Sequence, residues 1–150
     1  MRSGVLAASV AVVLGCATGA TMSTADAIKA RQDLMKEQSA AMKSIQGKLK
    51  AGQAQAIVPD AEKLAATSKK ISALFPQGSL NPGTSRAKPE IWQKWADFEG
   101  YAKTLETKAT QLAATGRTGN AQAATAAAGD LGKTTCGACH NAFRGPEIKK

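Results

Sequence analysis

The segment PEIWQKWADFEGYAKTLETKATQL, residues 89–112, carries the clearest helical signal in the chain. Ile91, Trp95, Phe98, Ala102, Leu105, Ala109 and Leu112 recur at steps of four and three, which places them on one face of an α-helix. Pro89 and Glu90 suit the first turn, where a missing amide costs nothing and a carboxylate faces the positive end of the helix dipole. A stripe of this kind is packing first, so Trp95 and Phe98 read as core residues before they read as neighbours of a bound group.

Working outward, PQGSLNPGTSRAK (76–88) is rich in Pro, Gly and Ser and carries no apolar period, so it is expected to be the longest loop. Before it, Pro59 and Asp60 open a helix marked by Leu64, Ala65, Ser68, Ile71, Leu74 and Phe75 and closed by Pro76. Lys48 to Val58, containing Gly52, is a turn. Ahead of it Ile28, Met35, Met42 and Leu49 fall every seven positions, with Leu34 and Ile45 beside them, which predicts a first helix from Ile28 to about Gly47. Downstream, Thr115 to Gly119 is a turn, and Asn120 can cap a fourth helix through the alanine-rich run to about Phe143. No run of alternating β-branched residues reads as a strand. Four amphipathic helices with short links at both ends and one long middle connection predict an all-α, antiparallel four-helix bundle.

The fourth predicted helix carries Cys136-Gly137-Ala138-Cys139-His140, a C-x-x-C-H motif. Its spacing suits covalent haem attachment, in which two sulfurs reach the two vinyl groups of a porphyrin and the adjacent imidazole points at the iron. On a helix the three residues lie at i, i+3 and i+4 and share a face that Phe143 extends. A thioredoxin-like pair expects a βαβ context, which is missing. A structural zinc site wants four ligands, and a plain disulfide leaves His140 unexplained. His140 is the only histidine in the chain, so an iron held there has its sixth position empty or filled by methionine, lysine or an outside molecule.

The N-terminus reads as a cleavable secretory signal: Arg2, the apolar run Val5 to Leu14, and Ala25-Asp26-Ala27 as an A-x-A cleavage site, so residues 1–27 are expected to be removed and residues 28–150 to form one haem-binding domain. The apolar run falls short of the roughly 20 residues a membrane span needs. Lipid attachment at Cys16, the alternative, fits poorly because Leu14 stands where that motif prefers other residues. Cleavage removes one charge of each sign and leaves the net charge at +9. Nucleic acid is the reflex partner for such a charge, but export and the scatter of the lysines argue against it. Steering towards an acidic redox partner protein is the alternative expectation.

With the haem motif near the C-terminus and four helices, the sequence resembles the class II c-type cytochromes, the cytochrome c′ family. The resemblance runs through Ala30-Arg31-Gln32-Asp33-Leu34-Met35, Leu74-Phe75-Pro76, Pro89-Glu90-Ile91-Trp92 and Cys136 to Arg144. It implies one haem c enclosed by the bundle and attached through Cys136 and Cys139, with His140 as proximal ligand. It further implies Met35 over the other face, Arg31 near a propionate and Arg144 on the histidine side. The leading expectation is a periplasmic electron-transfer protein, not an enzyme, with Met35 as sixth iron ligand. The alternative is a five-coordinate protein that binds nitric oxide or carbon monoxide. Homodimers are common in the family the chain resembles.

Overall fold

The structure, a computed structural model, describes residues 22–148. The apolar run of the expected signal and Cys16 lie outside the described residues. Helix α1 spans Thr24–Lys50, starting earlier and ending later than the apolar period alone suggests. Ser23 explains the early start: its hydroxyl accepts from the Asp26 amide and donates to the Asp26 carboxylate at 2.6 Å, so the helix is capped ahead of Ile28. The expected cleavage site therefore sits in the first turn of α1, where Ala27 is buried. Gly52, at φ 73°, turns the chain out of α1.

After a 3₁₀ turn over Ala54–Ile57, helix α2 spans Val58–Ser68, with Pro59 and Asp60 in its first turn as expected. It stops seven residues short of Phe75, and a 3₁₀ turn, Ser72–Leu74, completes the segment. Hydroxyls account for the early end. Thr67 donates to the Lys63 and Leu64 carbonyls and Ser68 to the Ala65 carbonyl, competing for acceptors near the helix end. Ile71 and Phe75 are buried all the same, so their side chains serve the core from a tighter turn.

The segment 89–112 also divides. Helix α3, Glu90–Gln93, and helix α4, Trp95–Arg117, are separated at Lys94, whose φ of −121° and ψ of 48° leave helical space. Trp92 holds the short helix in place by donating its indole N–H to the Phe75 and Pro76 carbonyls, each at 3.1 Å. Ile91 and Phe98, on either side of the break, both reach the core. Asn120 caps helix α5, Ala121–Leu131, by accepting from the Ala123 amide at 2.9 Å. The chain continues through a π-helical stretch, Gly132–Gly137, into helix α6, Ala138–Phe143.

These segments form four rods, with α2 packed on α4, α1 on α2, α4 on α5 and α1 on α5, the bundle expected. Ile45, Ile57, Leu64, Ile91, Leu112 and Leu131 are its large, fully buried apolar side chains, each contributing on the order of 1.5–3 kcal/mol of burial. Small residues set how closely the rods approach. Gly116 shows this best: a Cβ there would lie 2.9 Å from Ile57 Cγ1 and 3.1 Å from the Ala54 carbonyl oxygen. An isolated antiparallel bridge between Ala87 and Arg144 fastens the end of the long loop to the C-terminal segment. Among the described residues no helix is long and apolar enough to cross a membrane.

Candidate functional site

Between α1 and the segment 132–144 lies a cavity of about 890 Å³. Arg31, Met35 and Met42 of α1 form one wall; Thr135, Cys136, Cys139 and His140 form the facing wall. Phe75, Phe98 and Leu105 contribute apolar surface between them. The space falls within the range of pockets that bury most of a small ligand, and its walls are largely hydrocarbon with a few polar groups at chosen points.

The wall bearing the C-x-x-C-H motif is wound as a π-helix up to Gly137 and as an α-helix from Ala138. The Thr135 hydroxyl donates to the Leu131 carbonyl, the acceptor that the Thr135 amide would use in an α-helix, which favours the longer amide-to-carbonyl step. Closing that turn brings the Gly132 carbonyl within 3.3 Å of a Cβ built on Gly137, so the position has little room for a side chain. Cys136, Cys139 and His140 all line the cavity as their spacing suggests.

Cys136 and Cys139 are free thiols, each half-buried. Burial pushes both thiols up; Cys139, further raised by the neighbouring Cys136, reaches about 11, so both are protonated near neutral pH. Burial lowers the pKa of His140, and the Arg144 and Arg86 guanidinium groups lower it further. The ring is therefore a neutral imidazole with a lone pair available for a metal. Among the described residues no three His, Cys, Asp or Glu side chains converge to hold a bare metal ion, so these three do not form the ligand set of a structural zinc site.

Arg31 is 4% exposed, an unusual position for a guanidinium. It donates from Nη2 to the Ser79 carbonyl at 2.7 Å and stacks over Phe75 with its carbon 4.6 Å from the ring centroid. Its Nε and Nη1 are buried without a partner, and burial lowers its pKa. Unpaired donors on a buried guanidinium call for an acceptor, and an anionic one suits the charge best. A haem would meet all of these requirements together: thiols for its vinyl groups, an imidazole for its iron, hydrocarbon for its macrocycle and buried donors for a propionate.

Met35 lies one turn beyond Arg31, half-buried and facing the same cavity. Met42 lines it too, two turns of helix or about 10 Å further along the axis of α1. Arg144 is exposed at the rim. Sequence reasoning missed Arg86, which donates from Nε to the Gly145 carbonyl at 3.0 Å and stands beside His140. It also missed Tyr101, which packs edge-on to Phe143 at 6.1 Å in the wall of the cavity. Arg86 had no signal of its own, because its place depends on the loop pairing with Arg144.

A family model described as Cytochrome C' matches residues 26–144. The cytochrome c' of Rhodopseudomonas palustris is 33% identical over 137 residues, covering 89% of this chain and 90% of the relative. That of Rhodospirillum rubrum is 32% identical over 84 residues, and the match spans 56% of each sequence, just over half the relative's length. Among solved structures, cytochrome c' from Thermochromatium tepidum superposes with a TM-score of 0.74 at 31% identity, covering 83% of this chain and 98% of that one. A cytochrome c' with ligand-controlled dimer dissociation gives 0.77 at 28%, covering 85% and 100%. The nitric oxide complex of a leucine-to-alanine variant of cytochrome c prime from Alcaligenes xylosoxidans gives 0.75 at 27%, covering 85% and 99%.

Proposed function

This chain belongs to the cytochrome c′ family, and we propose that it is an exported, periplasmic protein that binds a small neutral gas, nitric oxide or carbon monoxide, at one covalently attached haem c. Cys136 and Cys139 provide the thioether links, and the neutral imidazole of His140 provides the proximal ligand. Arg31 would meet a propionate, Arg144 would lie on the histidine side, and Met35 would shield the opposite face. When bound, the haem would supply an iron able to take a diatomic ligand and a one-electron couple. The protein's own contribution is to fix the imidazole, exclude water with hydrocarbon walls and neutralise the propionate.

The observation that carries this reading is the nitric oxide complex of a relative whose fold superposes over 85% of the chain. A second reading rests on Met35 itself: a thioether in the cavity wall is a competent iron ligand, and its binding would make the protein a low-spin electron carrier. Absorption spectra of the reduced holoprotein separate the two. A shielding Met35 gives a high-spin spectrum with a broad α band and direct carbon monoxide binding. A sharp low-spin band, slow reaction with the gas, and conversion to a high-spin form by Met35→Ala would overturn the gas-binding reading in favour of electron transfer.

A further inference from the structure

We propose that the cationic rim of the cavity, formed by Lys36, Lys43, Arg86 and Arg144, is a docking surface for the acidic face of an electron-donating protein. Twenty cations and eleven acids are spread along the chain, yet the residues lining this cavity include five cations and no carboxylate. Arg31 is the interior one; the other four stand at the rim.

Their charges are only lightly compensated. Lys43 and Arg144 make no side-chain hydrogen bond or ion pair among the described residues. Lys36 meets Asp33 at 3.2 Å, but that carboxylate is also held by Lys29 and both partners are largely exposed. Arg86 lies 3.8 Å from Glu147, whose side chain is 90% exposed. Exposed pairs of this kind neutralise little of the local potential. Between Lys36 and Lys43 the exposed neutral residues Ser39 and Ala40 of α1 line the cavity edge, whereas the exposed Glu37 does not line it. A second copy of this chain would bring like charge against like charge, whereas an acidic surface is drawn in and oriented.

The proposal rests on haem c occupying the cavity and deepens the gas-binding reading, because carbon monoxide binds ferrous and not ferric haem. One electron passes from the donor to the ferric iron, the donor is oxidised by one electron, and no bond is made or broken.

The test uses oxidised holoprotein, with haem attachment verified first by its spectrum, and ferrous EDTA, an anionic one-electron reductant, in stopped flow. Lys36→Glu with Lys43→Glu is compared with Lys63→Glu and Lys70→Glu, exposed residues in α2 and the turn after it that do not line the cavity. The two double variants have the same net charge. The rim variant should slow reduction about tenfold at about 0.01 M ionic strength and much less at about 0.5 M, while the remote variant stays within about twofold of the unmodified protein. Polyglutamate should inhibit reduction of the unmodified protein and leave the rim variant nearly unaffected. Equal slowing of both variants would assign the effect to overall charge and overturn the proposal, as would no slowing in either. Protein that self-associates on this face, seen as a dimer in sedimentation that the rim substitutions abolish, would overturn it as well. Absence of attached haem at the first step would instead refute the functional reading.

Discussion

Replacing Gly116 and Gly129 separately with alanine makes one chemical change with two opposite expected signs. Both glycines lie in helices, and alanine is the better helix former by about 1 kcal/mol in a helix interior and less near an end. At Gly129 a Cβ meets nothing within 4 Å, so Gly129→Ala should stabilise by about 0.5–1 kcal/mol. At Gly116 the new methyl would lie 2.9 Å from Ile57 Cγ1, 3.1 Å from the Ala54 carbonyl oxygen and 3.2 Å from Val58 Cγ2. Carbon pairs prefer about 3.5–4.0 Å, so α4 or the 3₁₀ turn must move by several tenths of an ångström. Ile57 is fully buried and the Ala54 oxygen belongs to the backbone, so neither yields as a flexible side-chain tip would. Overpacking of this kind costs about 1–3 kcal/mol, which exceeds the helix gain and leaves a net loss of about 1–2 kcal/mol. For a domain of this size that corresponds to a fall in Tm of roughly 3–8 °C, against a rise of a few degrees for Gly129→Ala. Far-ultraviolet circular dichroism during thermal and guanidinium unfolding of the holoprotein reads both, and a covalent haem stays with the chain throughout. If Gly116→Ala is as stable as Gly129→Ala, the close approach of α4 to the turn before α2 is not what sets the packing there.

Asp60 links α2 to α1 by accepting from Ser44 at 2.6 Å and Lys48 at 2.7 Å. Burial pushes its pKa up, but the hydrogen bonds and charge of Lys48, with the Ser44 hydroxyl, outweigh burial and hold the carboxyl below its usual value. A carboxyl depressed by folding adds stability above its unfolded pKa of about 3.9 and loses it as pH falls through the lower folded value. Asp60→Asn should therefore cost about 1 kcal/mol at neutral pH, and in guanidinium titrations the difference from the unmodified protein should begin to shrink as pH falls below about 4 and disappear only once pH is below the depressed folded value; a gap that does not shrink with falling pH would show that the charge is not its source. Replacing both Cys136 and Cys139 with alanine should let acid–acetone remove the haem completely, whereas the unmodified protein made with cytochrome c maturation retains it. Haem that extracts freely from the unmodified protein would refute covalent attachment.

The readings that held were those whose physics is local. Helix signals recur within a few residues, so the stripe from Ile91 to Leu112, the Asn120 cap and the opening of α2 at Pro59 and Asp60 needed no tertiary information. The C-x-x-C-H spacing likewise carries its chemistry within five residues, and the structure places Cys136, Cys139 and His140 in one cavity wall. Where helices break was less legible. The end of α2 at Ser68, the opening at Lys94 and the π turn over Gly132–Gly137 depend on hydroxyls and rings choosing among nearby carbonyls, and apolar periodicity is silent on those choices.

What only the tertiary structure decided involves partners far apart in the chain. Arg31 reads equally well as a solvated charge on α1; it is buried because the Ser79 carbonyl, 48 residues away, and the Phe75 ring surround it, and two of its donors are left without a partner. Arg86 belongs to a loop without periodicity and comes to stand beside His140 because Ala87 pairs with Arg144 across the molecule. Burial and electrostatics depend on distance in space, and sequence reports distance only along the backbone. So composition and motif were enough to name a haem and its attachment points. The charge lining the cavity, and the burial that leaves two Arg31 donors without a partner, emerged only when the four helices closed around it.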